Sequence, residues 1–233
     1  MNFARPLPAY LVQRFHGWRA TTYQDNRAWY RRLAESGQHP RAMVISCCDS
    51  RVHVTSIFGA DEGEFFIHRN VANLVPPYDQ ARSFAATSSA MAFAISNLEV
   101  EHVIIMGHAR CGGIRALMEH KPPQSDEEKL IAQWVGIAES ARQQVQQQLP
   151  GKQDELRCRA CEQAAILVSL ENLLTYPWIR RRVEQGRLAL HGWYFDMTSG
   201  ELLQYQPAKG GFEVLVASTQ SLGAASNTSA QVT

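Results

Sequence analysis

Ala42-Met43-Val44-Ile45-Ser46-Cys47-Cys48-Asp49-Ser50-Arg51 is the stretch whose reading decides the fold. The short apolar run from Ala42 to Cys47 follows Pro40 and gives way to Asp49-Ser50-Arg51, as expected of a strand buried on both faces of a sheet. Side chains on extended backbone alternate, so Cys47, Asp49 and Arg51 are expected on one side and Cys48 on the other. A thiol, a carboxylate and a guanidinium would then gather at the strand's carboxyl end. Cys48 would point away and pack as a small apolar side chain.

Downstream, Glu64 to His68 forms a second apolar run after Gly63, and His102 to Met106 a third, ending at Gly107. Between them Ser83 to Leu98 has the pattern of a helix. Strands alternating with helices predict an α/β domain with a mainly parallel central sheet flanked by helices. A short helix is expected after Gly112-Gly113, and longer ones over Asp126 to Gln148 and Cys161 to Tyr176, with Pro150-Gly151 and Pro177 as punctuation. A further strand is expected over about Leu188 to Tyr194, with a hairpin partner starting near Glu201.

Upstream, Tyr10, Leu11, Phe15, Trp18, Trp29 and Leu33 recur among charges, which predicts one or two amphipathic helices with little core of their own. The expected organisation is an N-terminal helical arm over 1–36, an α/β domain over 37–217 that holds the candidate site, and a tail over 218–233. The tail is rich in Ser, Thr, Ala, Gln and Asn and is expected to be disordered.

The 233 residues, 45% hydrophobic and 19% charged, suffice for one large core. A formal charge of +1 offers no field to gather phosphate backbones or anionic lipid, so neither nucleic acid nor membrane is an expected partner. Near the N-terminus, Arg5, Arg14 and Arg19 interrupt any signal-like apolar run. Five unevenly spaced cysteines do not read as a disulfide framework. A reducing cytoplasm, with thiols free for metal, is the expected location.

Gly107-His108-Ala109-Arg110-Cys111-Gly112-Gly113 places a histidine and a cysteine three apart at the end of the third strand. Together with Cys47 at the end of the first, they form a Cys-His-Cys set at the carboxyl edge of a parallel sheet, where ligands collect. Three donors leave the fourth tetrahedral position open, the arrangement of catalytic zinc. A rival set would recruit Cys158 and Cys161. For His68 a structural, hydrogen-bonded role is expected.

Cys47-x-Asp49-x-Arg51 followed by His108-x-x-Cys111-Gly-Gly resembles the β-class carbonic anhydrases, in their plant-type subgroup. So do Arg69-Asn70-Val71-Ala72-Asn73-Leu74-Val75-Pro76-Pro77-Tyr78, Cys161-Glu162 with Ser169-Leu170-Glu171-Asn172-Leu173, and Leu188-Ala189-Leu190 running into Gly192. The likeness extends from about Arg31 to about Tyr205.

The resemblance implies one zinc per chain on Cys47, His108 and Cys111, and hydration of carbon dioxide to bicarbonate and a proton by a zinc-bound hydroxide. Asp49 and Arg51 would form a hydrogen-bonded catalytic pair, with turnover rising with pH. Gln38, Phe66, Val71, Phe93 and Gly112 would contact substrate. Phe93 stands where plant-type members often carry tyrosine, so a hydroxyl contact is missing. Val44 and Phe195 occupy two positions of a regulatory bicarbonate pocket found in some relatives and leave only Arg69 of it, so that inhibition is expected to be absent. A homodimer or higher homo-oligomer is implied. Two alternatives stand beside this reading: hydrolysis of carbon disulfide or carbonyl sulfide on the same site, and a non-catalytic zinc or redox module on Cys158-x-x-Cys161.

Overall fold

The computed structural model describes residues 4–216, and the chain divides into two compact units, Met1–His39 and Pro40–Thr233. The expected tail at 218–233 lies outside the described residues. The N-terminal unit holds helices α1 (Ala9–Ala20), α2 (Thr22–Asp25) and α3 (Arg27–Ser36), none of which contributes a buried residue. Its organising contact is aromatic: Trp18 packs against Phe15, Tyr23 and Tyr30 with ring centroids 5.6–5.9 Å apart.

The second unit is built on a six-stranded sheet ordered β2-β1-β3-β4-β5-β6. Strands β1 (Ala42–Cys47), β2 (Phe65–Asn70), β3 (His102–His108) and β4 (Ala189–Asp196) are parallel, whereas β5 (Glu201–Gln206) and β6 (Gly211–Val216) are antiparallel. Every residue of β1 is buried, as its unbroken apolar run requires. Its two faces serve different cores. Met43 and Ile45 join Val103 and Ile105 in the larger one, while Ala42 and Val44 join Ile104 and Met106 in a smaller one.

The helices are α4 (Val54–Phe58), α5 (Ala85–Ala92), α6 (Gly112–Glu119), α7 (Asp126–Val135), α8 (Glu139–Gln148), α9 (Asp154–Leu173) and α10 (Pro177–Glu184). None is long and apolar enough to cross a membrane. The longest, α9, buries Cys161, Ala165, Ile166, Ser169 and Leu173, the face spaced by a helical turn. It lies close on β3 because Gly107 has no side chain: a Cβ there would meet Ile166 Cδ1 at 2.8 Å.

Several elements depart from the expectations above. The helix expected over Asp126 to Gln148 breaks into α7 and α8 at Gly136, the residue with the weakest hold on helical backbone in that stretch. Helix α9 starts at Asp154, seven residues before the expected Cys161, with Asp154 and Glu155 in its first turn, where the helix dipole favours acids. Pro177 opens α10 rather than merely ending the previous helix, since proline suits the first helical position. Strand β6 and helix α4 are additional. The strand carries Phe212 and Val214 two residues apart after the Lys209-Gly210 turn, a pattern too short to stand out in the sequence.

Candidate metal centre

Parallel pairing of β1 with β3 in the register Ser46↔Met106 brings Cys47 and His108 to the same carboxyl edge. The chain then turns through Arg110, whose φ of 59° lies in the left-handed region. Cys111 follows as the residue preceding α6. Donor atoms of Cys47, His108 and Cys111 all lie within 4.8 Å of one another and all three residues are buried; among the described residues this is the only His/Cys/carboxylate group able to hold a metal ion. The two sulfurs are 3.9 Å apart.

The donor chemistry fits zinc. His108 Nδ1 donates to Ala109 O at 2.9 Å, which leaves Nε2 as a lone pair aimed at the sulfurs. That Nε2 is buried with no hydrogen-bond partner, an arrangement rarely tolerated unless a metal takes the lone pair. The Cys111 thiol holds Cys47 well below the usual thiol range against the opposing effect of burial, and the same contact pushes Cys111 far up. Backbone N–H groups favour sulfur anions at both positions, Ala72 N–H lying 3.4 Å from Cys47 Sγ and Gly113 and Ile114 acting on Cys111. Gly113 permits this approach, since a Cβ there would meet Val71 Cγ1 at 2.7 Å and Ala72 Cβ at 2.9 Å.

Asp49 and Arg51 lie beyond the end of β1, so a turn rather than strand alternation brings them together; Val52 N–H closes it onto Asp49 O at 3.0 Å. Arg51 grips the carboxylate at both oxygens, Nε to Oδ1 at 2.9 Å and Nη2 to Oδ2 at 2.7 Å. Those bonds hold Asp49 far below the usual carboxylate range. Asp49 Oδ2 is 3.9 Å from His108 Nε2. The loop itself is clamped by Arg69, which donates to Cys47 O, Asp49 O and Val52 O at 2.9, 2.7 and 2.8 Å.

Other expectations fall out unevenly. Cys48 is exposed rather than packed, because the strand ends one residue earlier and the chain turns away before that face is covered. Phe66 and Phe93 pair with centroids 5.8 Å apart; Phe93 is 43% and Val71 38% exposed. Gly112 is exposed at the start of α6, and Gln38 lies exposed in the N-terminal unit after α3. Cys158 and Cys161 sit on α9, where burial pushes the Cys161 thiol up to about 12, and no third ligand joins them among the described residues. His68 bonds Thr87 Oγ1 at 3.0 Å, the structural role expected of it.

Sequence reasoning gave no role to Glu162 and Tyr194. Glu162, 4% exposed, accepts from Cys111 N–H at 2.8 Å and from Tyr194 Oη at 2.7 Å. A glutamate between Cys161 and Ala165 on the buried face of a helix was the available signal.

A parallel α/β domain with a Cys-His-Cys centre at the strand ends and an arginine-held aspartate beside it defines a metal-binding enzyme class. The family model described as carbonic anhydrase matches residues 42–202. In Arabidopsis thaliana, the chloroplastic beta carbonic anhydrase 5 is 39% identical over 186 residues, covering 80% of this chain and 60% of that protein. The mitochondrial beta carbonic anhydrase 6 of the same plant is 40% identical over 169 residues, covering 72% and 58%. Among solved structures, the β-carbonic anhydrase CcaA superposes with a TM-score of 0.84 at 31% identity, over 89% of this chain and 92% of that one. Tetrameric β-carbonic anhydrases of Sordaria macrospora superpose with a TM-score of 0.73 at 26% identity, over 84% and 94%. This chain belongs to the β-class carbonic anhydrase family. It spans about three fifths of the length of the two plant relatives. Their chloroplastic and mitochondrial names overturn the expectation of a cytoplasmic location, which rested largely on free thiols, a feature an organellar protein can share.

Proposed function

We propose that this chain catalyses the reversible hydration of carbon dioxide to bicarbonate and a proton. The observation that carries the reading is the three-donor group with the Asp49 carboxylate held 3.9 Å from His108 Nε2. Cys47, His108 and Cys111 would hold zinc, which would supply an acidified water as nucleophile at moderate pH. Two thiolates would neutralise the formal charge of a zinc ion held there, so the attacking water would need a protein group to orient it. Asp49, kept ionised by Arg51, would accept a hydrogen bond from the attacking water and orient it. Phe66, Val71 and Phe93 offer an apolar wall suited to an uncharged linear molecule, and Gly112 leaves its approach free of a side chain. The role of Gln38 rests on the family resemblance alone.

The relatives' names support carbon dioxide as substrate and give no support to carbon disulfide or carbonyl sulfide. A separate module on Cys158 and Cys161 lacks a third ligand among the described residues. A homo-oligomer is supported by the tetrameric β-carbonic anhydrases it superposes on and by exposed Tyr10, Phe15 and Trp18 on α1; light scattering should give a mass above one chain. The deciding test is stopped-flow hydration with zinc measured on the same sample. Fast hydration with about one zinc per chain is expected, and a fully loaded protein that does not hydrate carbon dioxide at any pH would overturn the proposal.

A further inference from the structure

Cys111 follows a non-glycine residue in left-handed backbone, Arg110, a strained conformation that persists only where its surroundings hold it. What holds it is distant in sequence. The Cys111 N–H is taken by Glu162 of α9, fifty-one residues on, and the second oxygen of that carboxylate is fixed by the hydroxyl of Tyr194 on β4. Tyr194 is fully buried and braced in turn: the Arg159 guanidinium lies 5.4 Å from the centre of its ring and pairs with Asp196 at 2.6 Å. A buried carboxylate is costly unless every lone pair facing the protein is used, and here both oxygens are used on a ligand's backbone and on the group that fixes the carboxylate's rotamer.

We propose that Glu162 is a positioning residue for the metal centre: locked by Tyr194, it anchors the Cys111 backbone so that its sulfur stands opposite Cys47. This rests on the metal reading above and adds to it the element that preorganises the third ligand. A cavity of about 180 Å³ lies against Glu162 and Tyr194, so a smaller side chain at 162 would admit water to the Cys111 N–H. The test therefore uses substitutions of similar volume.

Full-length protein is stripped with a chelator and titrated with Co²⁺, and the thiolate-to-cobalt and ligand-field bands are read together with thermal melting. Glu162→Leu is expected to weaken Co²⁺ binding by about 10–100-fold and to shift the bands. Glu162→Gln still accepts from Cys111 N–H while Tyr194 turns from donor to acceptor, so its spectrum and affinity should stay close to those of the parent. Tyr194→Phe should move both in the direction of Glu162→Leu, by less. Parent protein lacking the thiolate band would overturn the metal reading, and the positioning role with it. A normal parent band left unchanged by Glu162→Leu, or by Tyr194→Phe should the leucine variant fail to fold, would overturn the positioning role alone. So would a glutamine variant as impaired as the leucine one, because charge rather than position would then be what matters.

Discussion

Arg51 binds Asp49 through two parallel hydrogen bonds and reaches past it to Arg110 O at 3.1 Å. One guanidinium thus ties the carboxylate to the loop that carries Cys111. The bidentate geometry fixes the plane of the carboxylate as well as its position, which a point charge cannot do.

Asp49→Asn should keep zinc and lose about 100-fold or more in kcat/KM for hydration, the range lost when a positioned acceptor is removed. Arg51→Lys should fall between the parent and Arg51→Ala, since an ammonium holds the charge without the fork. Stopped-flow rates on samples of equal zinc content check both, and full activity in Asp49→Asn would remove Asp49 from the mechanism.

Gly113→Ala places a methyl group 2.7 Å from Val71 Cγ1 and 2.9 Å from Ala72 Cβ. Relief requires the start of α6 or the Val71–Asn73 turn to shift, at about 1–3 kcal/mol. A lowered melting temperature is expected, with weakened metal binding because Ala72 N–H moves away from Cys47 Sγ.

Asp196 titrates below its usual range: burial acts to raise it, but the Thr198 N–H and the Arg159 guanidinium outweigh burial. A carboxylate depressed in the folded state stabilises the fold above its unfolded pKa, and that stability is lost as pH falls towards the folded value. Asp196→Asn should therefore cost about 1 kcal/mol at pH 7, a modest figure because Arg159 is 42% exposed. The deficit should shrink below about pH 4, the usual aspartate range, and urea titrations across that interval measure it.

Arg69 spends its guanidinium on three backbone carbonyls, and Val44 and Phe195, at the other two positions of the regulatory pocket that the family resemblance implies, are apolar. Bicarbonate should accordingly inhibit hydration as a simple product, without cooperativity. A sigmoidal loss of rate with added bicarbonate, abolished at Arg69 without unfolding, would contradict this.

The parallel frame was readable because β1 and β3 carry unbroken apolar runs that end where cysteine and histidine begin, a pattern both periodicity and chemistry report. Asp49 and Arg51 were placed together for an imperfect reason. Alternation suggested a continuing strand, whereas a turn closed by Val52 N–H does the work. The same early end to the strand leaves Cys48 exposed. Hidden from sequence was everything that depends on the third dimension: Glu162 meets Cys111 only because α9 lies across β3, which Gly107 allows. Helix breaks such as Gly136 were also missed, since a single glycine is a weak signal beside the apolar period around it.

The pairing of β1 with β3 closes a loop of about sixty residues before the donors can meet, and long-range closure of this kind is slow and comes after local structure has formed. The centre is therefore a product of folding rather than its seed. Metal should slow unfolding and raise the temperature at which the chain melts, while leaving the rate of refolding almost untouched, because in the transition state the strand ends that carry Cys47 and His108 have still to be brought together.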